Sequence, residues 1–143
     1  MTPQRVTLIT LGVDNLARAR AFYEGWGWQA TTAQEGVVFF QMLGAALALF
    51  GRADLAADQG RPGAMLGTGA MTLAQNFATR TEVDAAFASA LAAGAVALKA
   101  PQEVFWGGYS GYFADPDGHV WELAMNPFWP LADDGSLTLP DAG

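Results

Sequence analysis

The feature that most constrains this chain is a repeated order of elements in its two halves. Apolar, strand-like stretches at Val6–Val13 and Ala70–Ala78 are each followed by a helical pattern. Each helical pattern ends at a glycine, and these two glycines, Gly27 and Gly94, lie 67 residues apart (94 − 27). A strand and then a turn-linked pair of strands follow each glycine. The sequence therefore predicts an α+β fold built from two tandem βαβββ modules.

Glycine, proline and polar residues mark the boundaries of these modules. The first module is predicted to cover about residues 5–51 and the second about residues 70–126. The stretch at about 52–69 is predicted to be a surface linker, and residues 127–143 a C-terminal tail. At 143 residues the two modules form one domain of ordinary size.

Residues that favour helix termini locate both helices. The first helix is expected to begin after Asp14 or Asn15 and to run through Tyr23. For the second helix, Thr81 and Asp84 have the spacing of a capping box with a shorter acidic side chain.

The end of the second module has its own pattern. An aromatic and glycine-rich loop at Phe105–Gly111 leads into a predicted strand at Tyr112–Ala114, after a short strand at Val96–Leu98. Asp115-Pro116-Asp117-Gly118 suits a type I turn. The last strand is predicted at His119–Met125.

Composition excludes several classes of function. Seven basic and fourteen acidic residues give a net charge of −7, which disfavours binding to a phosphate backbone, so no nucleic-acid partner is expected. The chain has no cysteine and one histidine, His119, which excludes thiol nucleophiles, iron–sulfur clusters and any site with two histidines from one chain. With no apolar run long enough for a membrane span and no export signal, we expect a cytoplasmic protein without a membrane partner.

Two motifs within this repeat resemble those of a known family. The first is Gly12-Val13-Asp14-Asn15-Leu16 leading to Ala21-Phe22-Tyr23, and the second is Phe113–Leu123, F-A-D-P-D-G-H-V-W-E-L. Together they resemble the vicinal oxygen chelate superfamily, which includes glyoxalase I, bleomycin and fosfomycin resistance proteins and extradiol dioxygenases. The resemblance covers about Val6 to Asn126. It implies that the two modules form a half-open barrel around a ligand cleft, usually in a homodimer.

Metal-dependent members of that superfamily hold a divalent ion at four positions, one in the first and one in the last strand of each module. Counting seven residues back from Asp14 gives Thr7 for the first position (14 − 7 = 7). The other three positions correspond to Ala48, Gln75 and Glu122. Imidazole and carboxylate groups supply most of the affinity for first-row metals, and this set contains one carboxylate. The sequence therefore predicts neither a metal nor another cofactor.

Glu122 is the candidate catalytic residue. The family geometry would place it in the cleft with a mostly apolar set of ligand-binding residues: Thr7, Ile9, Ala48, Phe50, Gln75 and Phe77. Such a carboxylate can serve as a general acid or base, or as an anchor for a cationic or hydroxyl-bearing ligand. The alternative is structural, with Glu122 hydrogen-bonded to Gln75, Thr7 or a backbone amide.

Aromatic residues give further candidates. Trp106 and Tyr109, beside two glycines, are predicted to line the ligand site. Trp26 and Trp28 are expected to pack the first helix onto its sheet instead. His119 lies an odd number of residues from Glu122 and is expected on the other face of the strand.

Three functions remain as alternatives. The first is a protein that binds a small aromatic or cationic organic molecule in a metal-free cleft. The second is an enzyme of the lyase, isomerase or dioxygenase class that uses Glu122 as general base or metal ligand. The third is a structural or dimerisation module without a ligand.

Overall fold

A computed structural model describes residues 1–141, so Ala142 and Gly143 of the predicted tail lie outside the described residues. The chain divides after Gly67 into two compact units. Each unit contains one βαβββ module with a four-stranded sheet. The predicted α+β fold of two tandem modules is therefore confirmed.

The first unit contains four strands and two helices. They are β1 (Leu8–Val13), α1 (Leu16–Trp26), β2 (Thr32–Gln34), β3 (Val37–Gln41), β4 (Ala46–Gly51) and α2 (Arg52–Asp58). The strand order is β1-β4-β3-β2, with β1 and β4 parallel and the other pairs antiparallel.

Helix α1 begins and ends at residues suited to those positions. Of the two predicted caps, Asn15 is the one used, and its side chain accepts a hydrogen bond from the Arg18 amide at 3.0 Å. The helix runs to Trp26, three residues beyond Tyr23, and ends at Gly27 with φ of 117°, a conformation that favours glycine.

An aromatic cluster forms the core between α1 and its sheet. Phe22 and Tyr23 are buried, and the Tyr23 ring stacks on Trp28 with centroids 4.9 Å apart. The centroid of the Trp28 ring lies 5.5 Å from that of Phe40 in β3 and 5.2 Å from that of Trp26. The packing role predicted for Trp26 and Trp28 is confirmed.

The prediction of a surface linker at residues 52–69 is wrong for its first part, which forms α2. This helix packs on β1 at Gly12, where an added Cβ would lie 3.1 Å from Cγ of Arg52 and 3.2 Å from Cδ2 of Leu55. Ala56 of α2 is fully buried. Three alanines and a leucine in Arg52–Asp58 favour a helix, and within residues 52–69 glycine and proline occur only after it.

The second unit repeats the order of the first. Its elements are β5 (Thr72–Asn76), α3 (Arg80–Ala93), β6 (Val96–Glu103), β7 (Tyr109–Ala114) and β8 (Val120–Met125), in the sheet order β5-β8-β7-β6. The predicted short strand at Val96–Leu98 is thus an eight-residue strand, and β7 begins at Tyr109 rather than Tyr112. A tight hairpin loop at residues 104–108 joins them, closed by the Val104 amide donating to Gly108 at 3.0 Å.

Alternation along the strands gives this sheet two different faces. Phe113 and Trp121 are paired across β7 and β8, and with Leu123 they are buried against α3. We call this the helix face. The side chains between them point the other way and form the Glu122 face, which includes Tyr112, Ala114, Val120, Glu122 and Ala124 and the residues paired with them on the same side.

The capping prediction for α3 is wrong by two residues. Thr79, not Thr81, is the N-cap: its hydroxyl oxygen accepts from the Glu82 amide at 3.2 Å and donates to Oε1 of Glu82 at 2.9 Å. Both threonines are followed three residues later by an acid, but Glu82 has the longer side chain that reaches back to the cap. In the described part of the chain, no helix has the length and apolar character needed to cross a membrane.

The two threonines allow a matched test of this cap. Thr79→Ala should lower the free energy of unfolding by about 1 kcal/mol, because the first turn of α3 loses its side-chain acceptor. Thr81→Ala, inside the helix, should leave it within about 0.5 kcal/mol of the wild-type value. Urea denaturation followed by circular dichroism measures both, and a larger loss in Thr81→Ala would contradict the assignment.

Candidate functional site

Glu122 has a cross-strand neighbour on each side on the Glu122 face. In the parallel pairing of β5 with β8 it is opposite Ala74, and in the antiparallel pairing of β7 with β8 it is opposite Tyr112. Paired residues project on the same face of a sheet. The immediate neighbours of this carboxylate across the strands are therefore a methyl group and a phenol.

The expected grouping of Gln75 with Glu122 is wrong. Gln75 pairs with Leu123, a residue of the helix face, so the Gln75 amide lies on the opposite side of the sheet from Glu122. Phe77 follows the end of β5, where its amide donates to the carbonyl of Ala124 at 2.8 Å. Counting along the sequence matched the family spacing for Gln75 but could not give the pairing of β5 with β8.

The expected grouping of Thr7 with Ala48 is also wrong. Ala48 pairs with Thr10, and Phe50 lies on the same face as Ala48. Thr7 precedes β1, and its carbonyl accepts a hydrogen bond from the Ala46 amide at 2.9 Å. Because Thr7 and Thr10 are three residues apart, their side chains point to opposite faces of the sheet. Counting from the observed cap, Asn15, gives Leu8, which does share the face of Ala48 (15 − 7 = 8).

Tyr112 and Glu122 are cross-strand neighbours on this face. Both side chains are half-buried, and the register of β7 against β8 places them opposite each other. Burial, followed by interactions with Glu122, raises the pKa of Tyr112 above its ordinary value. A phenol beside a carboxylate is an arrangement able to bind or move a proton.

Tyr109, three residues earlier on the same strand, belongs to the helix face. Its hydroxyl donates to Oδ1 of Asp84 on α3 at 2.6 Å, and this hydrogen bond is the main reason its pKa is raised. The guanidinium of Arg80 lies 5.0 Å from the centre of the Tyr109 ring and bonds Glu103 at 2.8 Å. The prediction that Tyr109 lines a ligand site with Glu122 is therefore corrected, since α3 holds Tyr109 on the other side of the sheet.

Trp106 lies at the tip of the β6–β7 hairpin. Its ring lies over Gly108, where any added Cβ would collide with it, so the second glycine of the loop accommodates this ring. About a third of Trp106 is exposed (36%). Its predicted role in ligand binding stays a prediction.

Two polar residues of the Glu122 face were missed by the sequence reasoning. Asn76 of β5 and Ser110 of β7 are both opposite Ala124, two residues along from Glu122. Asn76 is half-buried and Ser110 is buried. Alternation counted back from Tyr112 identifies Ser110, because the two lie an even number of residues apart.

The turn before β8 confirms a structural role for Asp115. Its Oδ1 accepts from the amides of Asp117 and His119, both at 2.9 Å, and Asp115 is buried. His119 thus lies at the end of this turn, just before β8.

The residues around Glu122 do not fit a divalent metal ion. Its register neighbours Ala74 and Tyr112 offer no imidazole or second carboxylate, and Ala48 occupies the corresponding position in the first module. Among residues 1–141 there is no group of three or more histidine, cysteine, aspartate or glutamate side chains placed to share an ion. No step through a metal is therefore derived for this site.

An open pocket of about 410 Å³ lies elsewhere, at the carboxyl ends of β1 and β4. It is lined by Val13, Asp14, Gly51, Arg52, Ala53 and Asp54. None of the predicted site residues borders it.

Known proteins share this architecture. A glyoxalase-related enzyme from Fulvimarina pelagi, known from a crystal structure, is 39% identical, with a TM-score of 0.90 over 97% of this chain and 100% of that one. A lactoylglutathione lyase from Agrobacterium tumefaciens is 25% identical, with a TM-score of 0.68 over 92% of this chain and 100% of that one.

An uncharacterised protein from Mycobacterium bovis is 49% identical over 47 residues. That match spans 33% of this chain and about a third (31%) of the mycobacterial protein. The model of the Glyoxalase/Bleomycin resistance protein/Dioxygenase superfamily matches residues 5–123, most of the chain. The repeated modules and this match together show that the chain belongs to the Glyoxalase/Bleomycin resistance protein/Dioxygenase superfamily.

Proposed function

We propose that this protein binds a small aromatic or cationic organic molecule on the Glu122 face of the second module, directly through the Glu122 carboxylate and without a metal ion. The observation that carries the proposal is the half-buried Glu122 carboxylate on that face, with the Tyr112 phenol opposite it across the strands. The expected homodimer and cytoplasmic location stay predictions.

The geometry leaves Glu122 able to accept a further partner. A carboxylate has about four lone-pair sites, more than the neighbouring Tyr112 hydroxyl alone can occupy. Half-burial reduces the competition of water, which strengthens a charge-assisted hydrogen bond from an ammonium or hydroxyl group.

A second candidate function is an enzyme in which Glu122 acts as general base and Tyr112 as proton donor. The 39% identity to a glyoxalase-related enzyme favours this alternative. Because Tyr112 lies opposite Glu122, a proton that Glu122 takes from the substrate can be balanced by a proton that Tyr112 gives to the substrate. A purely structural module is the third alternative, and it predicts no ligand.

The Tyr112–Glu122 pair itself can be tested by titration. Glu122→Gln should move the pKa of Tyr112 down towards the ordinary tyrosine value, because the negative charge that opposes tyrosinate formation is removed. Tyrosine-selective ¹³C NMR against pH separates Tyr112 from Tyr23 and Tyr109. The Tyr109 titration should be unchanged, and an unchanged Tyr112 titration would show that the two groups do not interact.

Ligand binding can be tested with benzylamine, a small aromatic cation, by isothermal titration calorimetry. Glu122→Gln should weaken binding by about tenfold or more through loss of a charge-assisted hydrogen bond. Tyr112→Phe should weaken it less, since the carboxylate remains and only the neighbouring hydroxyl is removed.

Tyr109→Phe is the matched control, because it removes the same hydroxyl from the other face of β7 and should leave the affinity unchanged. Equal affinity of the wild type and Glu122→Gln for benzylamine would overturn the proposed site.

The enzymatic alternative is tested with lactoylglutathione as substrate, in buffer treated to remove metal ions. Activity in the wild type that Glu122→Gln abolishes and Tyr109→Phe retains would favour the enzyme. Binding of benzylamine without any turnover of lactoylglutathione is the result expected of a binding protein.

A further inference from the structure

A row of four residues crosses the whole second sheet on the Glu122 face. In strand order these are Ala74, Glu122, Tyr112 and Lys99, each paired with the next. The row therefore places an acid in β8, a phenol in β7 and an amine in β6. Two strand spacings separate the backbones of Glu122 and Lys99, a distance of about 10 Å.

Two irregularities in β6 bring Lys99 to this row. The pairing of β6 with β7 shifts once between Ala97 and Lys99 and again between Lys99 and Gln102. At the first shift Leu98 is the extra residue, so Lys99 rather than Leu98 is opposite Tyr112. β-Bulges redirect side chains in this way next to functional sites.

Gly111 of β7 makes the irregular path of β6 possible. A Cβ at this position would lie 2.8 Å from the backbone nitrogen of Pro101 and 2.9 Å from the carbonyl oxygen of Lys99. Both distances are too short for a real Cβ, so β6 can follow this path only beside a glycine. Gly111 thus permits the close approach of the β6 backbone at Lys99 and Pro101.

Lys99 has a charged side chain that could bind a ligand group. It is the single lysine of the chain, it is exposed, and within residues 1–141 its ammonium group has no ion-pair or hydrogen-bond partner. The other arginine or lysine of the second unit, Arg80, is held by Glu103 and Tyr109 on the helix face. In a chain with a net charge of −7, a free cation at this place favours an anionic ligand group.

We infer that Lys99 is a specificity-determining residue, and that the preferred ligand is elongated, with an ammonium or hydroxyl group at Glu122 and a carboxylate at Lys99. The body of such a ligand lies over Tyr112, between the two charged ends. This inference rests on the proposed function, because it assumes that Glu122 holds one end.

Three probes that differ only in their end groups test the inference: 4-(aminomethyl)benzoate, benzylamine and benzoate. Calorimetry at low ionic strength should show that the wild type binds 4-(aminomethyl)benzoate roughly two- to fivefold more tightly than benzylamine, the gain of a solvent-exposed ion pair. Added salt should reduce this gain. Benzoate should bind most weakly, since it lacks the ammonium group that Glu122 binds and retains only the exposed contact with Lys99.

Three variants separate the effect of Lys99 from general changes in charge. Lys99→Gln should abolish the advantage of 4-(aminomethyl)benzoate and leave benzylamine binding unchanged, and Lys99→Arg should retain the advantage. Arg80→Gln removes a positive charge from the helix face and should preserve the advantage. Thermal unfolding followed by circular dichroism checks that Lys99→Gln is folded, as expected for an exposed side chain.

The outcomes distinguish this inference from the proposed function. Glu122-dependent binding of benzylamine with no advantage for 4-(aminomethyl)benzoate would overturn the role of Lys99 and leave the proposed function standing. An advantage that persists in Lys99→Gln would also overturn it. Absence of binding by all three probes would overturn both.

Discussion

The register of β8 against its two neighbours is the constraint on which the second module depends. Side chains alternate along a strand, so a shift of one residue would exchange Trp121 and Leu123 with Glu122. Phe113, Trp121 and Leu123 are buried against α3, and a shift would put a carboxylate in that core at a cost of several kcal/mol. The hydrophobic contact with α3 thus fixes which polar groups share the other face.

Two tyrosines of β7 show how this alternation separates side chains. Tyr109 and Tyr112 are three residues apart, and each lies near a carboxylate. The partner of Tyr109 is Asp84 of α3, so its hydrogen bond joins helix to sheet. Tyr112 is opposite Glu122 within the sheet, on the face away from α3. One strand thus places one tyrosine against the helix and the other beside Glu122 on the opposite face.

The sequence predicted local features well and non-local ones poorly. The repeat, helices α1 and α3 and the turn at Asp115 follow from short-range signals: apolar periodicity, glycine at helix ends and aspartate in turns. Gln75 and Thr7 were assigned to the wrong faces because strand pairing joins residues far apart in sequence, and no local signal gives its register. Two competing capping patterns two residues apart gave the wrong cap, Thr81.

The modules have also diverged in how they use equivalent surfaces. In the first module, α2 packs against Gly12, on the same face of the sheet as Ala48. In the second, the corresponding face carries Glu122, Tyr112 and Asn76. A repeated architecture has therefore produced one module with an added helix and one with a polar surface.

The irregular path of β6 also affects how copies of this chain meet. β6 is the last strand of its sheet, and an outer strand with regular, unpaired backbone groups invites another chain to extend the sheet. Pro101 lacks an amide hydrogen, the two register shifts interrupt the spacing of the remaining donors and acceptors, and Lys99 adds a charge. The irregular backbone around Lys99 consequently protects this edge of the sheet against aggregation by strand pairing.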